Sequence, residues 1–231
     1  MKKIKLIMAF FMLLCFTNCL KTVPIKQEFF RNTKVGVLIQ INNDPQVIRG
    51  DTYNGTRIIN DTNNKFYVAL SHIKSNLDLK KALKTEISNI LTSKNKSFVI
   101  LSDNFNEASL TKFEAPETFY NNPDHEIYYP KYDFRNIRKT HNVDEILFVK
   151  VHDYGLLLLY SGVLLASRSG HVVVDTQIIN LKNNSLLQQR RFESNVRIKG
   201  GIKSDENYQN LQNAIQEAID RTISKLKSKL K

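Results

Sequence analysis

The two cysteines of the chain, Cys15 and Cys19, lie at the end of an apolar run near the N-terminus, where a thiol can be acylated, oxidised or bound to a metal. The run, Leu6 to Phe16, spans 11 residues and follows a cluster of three lysines. It is too short for a membrane-spanning helix, which needs about 20 apolar residues. A positive segment, a short apolar run and a polar cleavage region are typical of a secretory signal. We therefore predict a signal peptide over residues 1–18.

The stretch Phe16-Thr17-Asn18-Cys19 resembles the end of a bacterial lipoprotein signal. In that family the cysteine after the apolar run takes a diacylglyceryl group and becomes the first residue of the mature protein. The family prefers Leu three positions before the cysteine and a small residue directly before it, and Phe16 and Asn18 stand in these places. Cys15 follows three bulky residues and fits the pattern less well. Lipidation of Cys19 is the prediction, and simple cleavage and an uncleaved anchor are the alternatives.

Lipidation of Cys19 determines the expected compartment. Leu20 follows it, without the aspartate that retains such proteins at the inner membrane, so the resemblance implies an anchor in the outer membrane that faces the periplasm. A mature chain that begins at Cys19 has no second thiol, which excludes a structural disulfide and a cysteine-based metal site. The predicted organisation is a lipidated tether over residues 19–33 and a single α/β domain over residues 34–231.

The five histidines give no recognised metal or catalytic motif, and no pair has the i, i+4 spacing of a helical zinc site. The best metal candidates are His152-Asp153 and the acidic stretch around His125. Because adjacent residues on a strand point to opposite faces, we interpret His152 as a strand residue at the rim of the domain. The sequence also lacks a nucleophile elbow, a P-loop and a dinucleotide-binding loop. We therefore predict no catalytic residue, no cofactor and no metal site, and a protein that is not an enzyme.

The chain is strongly basic, with 34 Lys+Arg against 22 Asp+Glu and a formal net charge of +12 at pH 7. Such a charge favours association with anionic surfaces. An exported protein meets anionic lipid or glycan rather than nucleic acid, so we predict no nucleic-acid partner and name lipopolysaccharide and phospholipid as candidate ligands.

An aromatic segment between Phe113 and Phe134 has no clear period. Tyr and Phe supply the buried anchors of many protein interfaces. Four of these residues are therefore candidate contacts with a partner protein: Phe119, Tyr120, Tyr128 and Tyr129. The alternative interpretation is an insertion that folds back on the sheet.

Hydrophobic periodicity predicts an α/β fold. Its class is a single sandwich with a mixed, largely antiparallel sheet covered by helices, including a long C-terminal helix. The predicted elements are a half-buried strand at Lys34–Ile41, turns with short extended pieces over Asn42–Lys65, a helix capped by Ser75 or Asn76, a short buried strand at Ser97–Ser102, a short helix at Phe134–His141, four strands between Glu145 and Ile198, and a helix from Tyr208 to Leu230.

The four strands are predicted to form an antiparallel meander, with turns at Ser167–Gly170 and Lys182–Asn184. The run LLLLYSGVLLA is interrupted by Ser161-Gly162 and is too short to cross a membrane, so we interpret it as a core strand. The C-terminal helix has one apolar face and a basic end. We predict that it covers the sheet, and the alternative is that it lies on a membrane.

The turn Asn142-Val143-Asp144 with the strand that follows, and the later stretch VVVDTQIINLKNNSLL, resemble a group of bacterial envelope lipoproteins. These are the penicillin-binding-protein activators, the curli-secretion lipoproteins and the N-terminal domain of the Tol-Pal propeller protein. The resemblance covers roughly Lys34 to Lys229, without a counterpart for Asn43–Lys65 or for the aromatic segment. It implies noncatalytic binding of an envelope protein partner in cell-envelope assembly or transport. The alternative function is a binding module for an anionic envelope ligand.

Overall fold

The computed structural model describes residues 22–41, 44–51, 55–59, 64–101, 105, 107–116 and 127–230. Seven strands form one mixed sheet, and four helices accompany it. The predicted α/β class, the mixed sheet and the long C-terminal helix are therefore confirmed. The elements are β1 (Lys34–Ile41), β2 (Gln46–Asp51), β3 (Gly55–Ile59), α1 (Lys65–Ile73), α2 (Leu79–Ser93), β4 (Ser97–Ile100), α3 (Arg135–His141), β5 (Glu145–Ser161), β6 (Leu164–Asn180), β7 (Ser185–Arg197) and α4 (Gln209–Leu230).

Strand β5 organises the sheet. One of its edges pairs in parallel with β1 over Glu145–Val151 and then with β2 over Gly155–Tyr160, so that β1 and β2 behave as one interrupted strand. The other edge pairs with the antiparallel β6, which in turn pairs with the antiparallel β7. β4 extends the sheet beyond β1, and β3 extends it beyond β2. Gly155 lies where β2 joins, and a Cβ there would come within 2.3 Å of the Gln46 carbonyl oxygen.

The meander is confirmed, but it contains three long strands instead of four shorter ones. β5 and β6 have 17 residues each, and the turn between them lies at Gly162-Val163. Gly162 has φ +60°, which suits the first central position of a tight hairpin turn. The turn predicted at Ser167–Gly170 is wrong because Gly170 serves packing: a Cβ there would lie 2.3 Å from the Ala214 carbonyl oxygen of α4.

The segment Asn42–Lys65, predicted as turns with short extended pieces, supplies two strands of the sheet, β2 and β3. Their pattern is weak because Gly50 and Asp51 interrupt the apolar positions of β2. The sequence reasoning also missed α1, which packs Phe66 and Leu70 into the core.

Two further local predictions are wrong. Asp78, instead of Ser75 or Asn76, caps α2, and its Oδ1 accepts a hydrogen bond from the Lys81 N–H at 2.9 Å. β4 is an edge strand with an exposed apolar surface, although its sequence predicts a buried strand.

Both faces of the sheet are covered along β1. Val37 and Leu38 point to opposite faces, and each is 1% exposed, so the middle of this strand is buried on both faces and not half-buried as predicted. One face packs against α1, α2 and α4, and the other packs against α3 and the described part of the aromatic segment.

Helix α4 covers β6 and β7, as predicted, and the contact with the sheet takes up its apolar face. The buried residues of this helix are Leu211, Ala214, Ile215, Ala218, Ile219, Thr222, Leu226 and Leu230. Within the described ranges, no helix has the length and apolar character needed to cross a membrane.

Residues 22–33, predicted as part of the tether, contact the domain. Val23 is 2% exposed and exchanges backbone hydrogen bonds with Gln189 of β7 at 2.8 and 3.0 Å. Lys96 lies over the ring of the buried Phe29, and its ammonium donates to the Arg31 carbonyl oxygen at 2.6 Å. The same ammonium lies 3.4 Å from Glu145, in a buried ion pair that ties this segment to the start of β5.

Candidate functional site

The described part of the aromatic segment packs back on the sheet. Tyr128 is half-buried against the second face, and its carbonyl oxygen accepts a hydrogen bond from the Leu186 N–H at 2.7 Å. Tyr129 is also half-buried, with its ring 5.3 Å from that of Phe113. This part agrees with the alternative interpretation, an insertion that folds back.

The other predicted site residues cannot be placed in this way. Phe119 and Tyr120 lie outside the described residues, as does Cys19. Partner contact through the aromatic segment and lipidation of Cys19 therefore stay predictions.

A polar network lies on the second face of β5, β6 and β7. The register of β5 against β6 shifts between Val151 and Asp153, and this bulge places His152 and Asp153 on the same face. Our expectation that the two residues point to opposite faces is therefore wrong. His152 Nε2 lies 2.6 Å from Asp175 Oδ2, and Asp153 Oδ1 lies 3.0 Å from His171 Nε2.

Asp175 is bound from both sides. Arg191 donates to its two carboxylate oxygens at 2.8 and 2.9 Å, in the bidentate arrangement that strengthens such pairs. Burial disfavours the charged carboxylate, but the bonds from His152 and Arg191 outweigh that cost and hold the pKa of Asp175 below its ordinary value of 3.8. The network thus joins three strands by charge-assisted hydrogen bonds.

Both ring nitrogens of His171 face acceptors. Nδ1 lies 2.5 Å from the Asn195 side-chain oxygen, and Nε2 faces Asp153, an arrangement that suits the doubly protonated imidazolium. Burial disfavours that charge, but the two hydrogen bonds outweigh it, and the pKa of His171 is raised above its ordinary value of 6.5. Among the described residues no group of three or more His, Cys, Asp or Glu is placed to hold a metal ion. We interpret this network as structural.

The tip of the β5–β6 hairpin is the most exposed apolar feature of the described structure. Val163 is 91% exposed, Leu164 is 73% exposed and Leu159, nearby on β5, is 42% exposed. β6 runs beyond the chain that continues β7 over Leu164–Ser167, about 13 Å at the usual rise of a strand, while β2 accompanies β5 as far as Tyr160. The sequence reasoning missed this site, although Gly162 between two apolar runs is a signal for a hairpin turn.

A basic cleft lies beside the projecting hairpin. It has a volume of about 500 Å³, and the start of β6 and the end of β7 form its walls. Three basic residues line it: Arg168, Arg197 and Lys199. None of them has a carboxylate within ion-pair distance in the part of the chain that the structure describes. This combination of apolar tip and basic cleft, which we call the tip end, can contact a surface that is apolar inside and anionic outside.

The outer edge of β4 is a second candidate contact. Within the described ranges no strand pairs with this edge. The Leu101 N–H donates to the Val37 carbonyl oxygen at 2.8 Å, so by the alternation of a strand the backbone N–H and C=O of Ile100 point away from β1. Val99 and Ile100 are 36% and 40% exposed. An open edge with apolar side chains can accept an added strand from another chain.

We expect Asp153→Asn to lower the pKa of His171, because it removes the anionic acceptor at Nε2. His171 has a raised pKa in the folded state, so its contribution to stability is full below pH 6.5 and is lost as the pH rises through the folded-state value. The Asp153→Asn variant should therefore lose less free energy of unfolding than the native chain as the pH rises through the folded-state pKa of His171. Titration of the imidazole proton resonances and urea unfolding on both sides of pH 6.5 measure the two effects.

The matched control is Asp205→Asn, which neutralises an exposed carboxylate in the loop before α4. An unchanged His171 titration in Asp153→Asn would contradict the assignment of the charged imidazolium.

No family model and no curated protein matches the chain. Its structure is similar to several solved bacterial structures. A proposed neuraminyllactose-binding hemagglutinin homologue from Helicobacter pylori is 12% identical, with 94% of this chain and 89% of that one covered and a TM-score of 0.42. Protein XCC0632 from Xanthomonas campestris is 7% identical, with 86% of this chain and 80% of that one covered and a TM-score of 0.40. Lipoprotein GNA1162 from Neisseria meningitidis is 8% identical, with 81% of this chain and 99% of that one covered and a TM-score of 0.36. None of the three carries the name of a predicted lipoprotein group, so that finer resemblance stays a prediction.

Proposed function

We propose that this chain is an exported lipoprotein, held by lipid on Cys19 in the outer membrane and facing the periplasm. Its domain binds an envelope protein partner without catalysis, in cell-envelope assembly or transport. The single observation that carries the proposal is the position of Cys19 directly after a short apolar run with a positive start. The lipid attachment places the domain at a membrane, where binding partners of the envelope are available.

The contact of residues 22–33 with the domain supports attachment of the domain close to the membrane. Thr22 is three residues from Cys19, so at most about 11 Å of extended chain separates the lipidated residue from the first described one. Such a short spacer holds the domain near the bilayer surface and restricts its orientation.

The open edge of β4 supports partner binding. Strand addition supplies affinity through backbone hydrogen bonds, and the exposed side chains of Val99 and Ile100 supply apolar contacts. The partner expected at this edge is a protein that presents an extended segment.

We expect Cys19→Ala to abolish acylation, since the thiol is the predicted attachment point. Labelling of cells with a palmitate analogue should mark the native chain and leave the variant unlabelled, and fractionation should move the variant out of the outer membrane. Cys15→Ala is the matched control and should be labelled like the native chain, because the signal that contains it is removed. A native chain without label would contradict the lipoprotein assignment.

We expect Ile100→Pro to weaken partner binding about tenfold or more, because it removes an outward N–H and its ring blocks an added strand. The β1–β4 ladder keeps its bonds, so the variant should remain folded. Photo-crosslinking in cells from a reactive side chain at position 99, with and without Ile100→Pro, measures the loss of partner adducts.

Two controls define the result. A reactive side chain at Lys229, on the exposed side of α4, should give none of the same adducts. Identical adducts from position 99 in the native and Ile100→Pro backgrounds would overturn strand addition at β4, whatever the labelling of Cys19 shows.

A further inference from the structure

We infer that the tip end is a second membrane contact, in which Val163 and Leu164 enter the acyl region of a bilayer while the basic cleft binds its anionic phospholipid headgroups. This goes beyond the proposed function, which assigns the membrane attachment to the lipid on Cys19 and leaves the tip end without a role.

The apolar part of the contact is the turn of the hairpin. Val163 and Leu164 are 91% and 73% exposed, so the core gains almost nothing from them. Single exposed apolar residues are ordinary on a protein surface. Here two of them are adjacent and lie at the turn of a hairpin that extends beyond β7. Transfer of two such side chains into hydrocarbon favours binding by roughly a hundredfold or more.

The charged part of the contact is the basic cleft. Arg168 lies on β6 next to the projecting part, where its carbonyl oxygen accepts a hydrogen bond from the Ile198 N–H, and Arg197 and Lys199 lie at the end of β7 and just after it. All three residues line one cleft of about 500 Å³ that is open to solvent. Each cation near an anionic membrane surface contributes about a fivefold gain in binding. The basic groups lie nearer the core than Val163, as required if headgroups lie outside the acyl region.

The N-terminal segment pairs with the outer edge of β7. The Lys26 N–H bonds to the Leu187 carbonyl oxygen, and Val23 pairs with Gln189, so the chain followed toward its N-terminus runs toward the C-terminal end of β7. The hairpin tip projects at the same end of the meander. Val23 lies opposite Gln189, which pairs with Gln177 of β6, and roughly 40 Å of strand separates Gln177 from Leu164. The lipid on Cys19 and the hairpin tip can therefore reach one bilayer when the long axis of the meander lies along its surface.

Charge complementarity favours a lipid bilayer over a second copy of the chain. Two copies related by a two-fold axis would bring identical basic clefts together, and the like charges would repel. A bilayer with anionic headgroups offers opposite charge at the cleft and hydrocarbon at the tip in one surface.

The test uses the mature chain from residue 19 with Cys19→Ser, which contains every described residue and carries no lipid. Flotation measures its binding to vesicles of phosphatidylethanolamine with phosphatidylglycerol, and to vesicles of phosphatidylcholine alone. We expect binding to the anionic vesicles, weakened by salt, and at least tenfold weaker binding to the neutral ones. Because no lipid is attached, this result is independent of whether Cys19 is acylated in cells.

Two variants test the two parts of the contact, each with a matched control. Val163→Ser with Leu164→Ser should reduce binding about tenfold or more, and Phe30→Ser with Ile127→Ser, at two exposed apolar residues without an assigned role, should not. Neutralisation of the three cleft cations to Gln should remove the preference for anionic vesicles. The same change at Lys112, Lys131 and Lys139 should largely preserve it, although the net charge falls equally.

A depth probe separates insertion from surface attraction. The tested chain has no cysteine, so Val163→Cys gives one labelling site for an environment-sensitive fluorophore. We expect a blue shift of its emission on anionic vesicles and none for the same probe at Lys139. Absence of vesicle binding, binding that survives both tip substitutions, or a probe at position 163 that shifts only when copies of the chain associate would each overturn the inference.

Discussion

Pairing along both edges of β5 is the constraint on which the rest of the structure depends. Its first half holds β1, its second half holds β2, and its whole length pairs with β6. A strand with hydrogen bonds on both edges has no open backbone groups, and its side chains are then buried by whatever covers the two faces. The helices cover one face, and α3 with the described aromatic segment covers part of the other. The length of β5 and β6 also carries the hairpin tip beyond the neighbouring strand β7.

The fold was predictable where the local hydrophobic pattern of an element matches the way in which that element is buried in the domain. Helix α4 follows its hydrophobic period, because it buries the face that the sequence marks as apolar. Strand β1 forms where its alternation predicts a strand, although both of its faces are covered. Gly170 shows where this agreement fails. A glycine in a sequence indicates a turn, but here it permits close approach of a helix backbone, which depends on a residue far away in the chain. The exposed edge of β4 was missed for a related reason, since an apolar strand does not reveal how many neighbours it has.

The candidate sites also divide into those that local sequence indicates and those that depend on tertiary structure. Lipidation of Cys19 was predicted because the signal pattern around this residue is local in the sequence. The basic cleft was not predicted, because only the register of β6 and β7 brings Arg168 near Arg197 and Lys199. The network around His171 also depends on tertiary structure, because a bulge in β5 turns Asp153 toward it. The polar network therefore lies in the middle of the meander, and the candidate contact surface of the tip end lies at one end of it.

The central claim is that the hairpin tip of the lipidated chain contacts the membrane. The most direct measurement is photo-crosslinking in cells from a benzophenone side chain at position 163 of the full chain, followed by mass spectrometry of the adducts. The account predicts adducts with the mass of phospholipid at position 163 and none at a control position on α3. Adducts at position 163 with protein, or with a second copy of the chain, and none with lipid would contradict it.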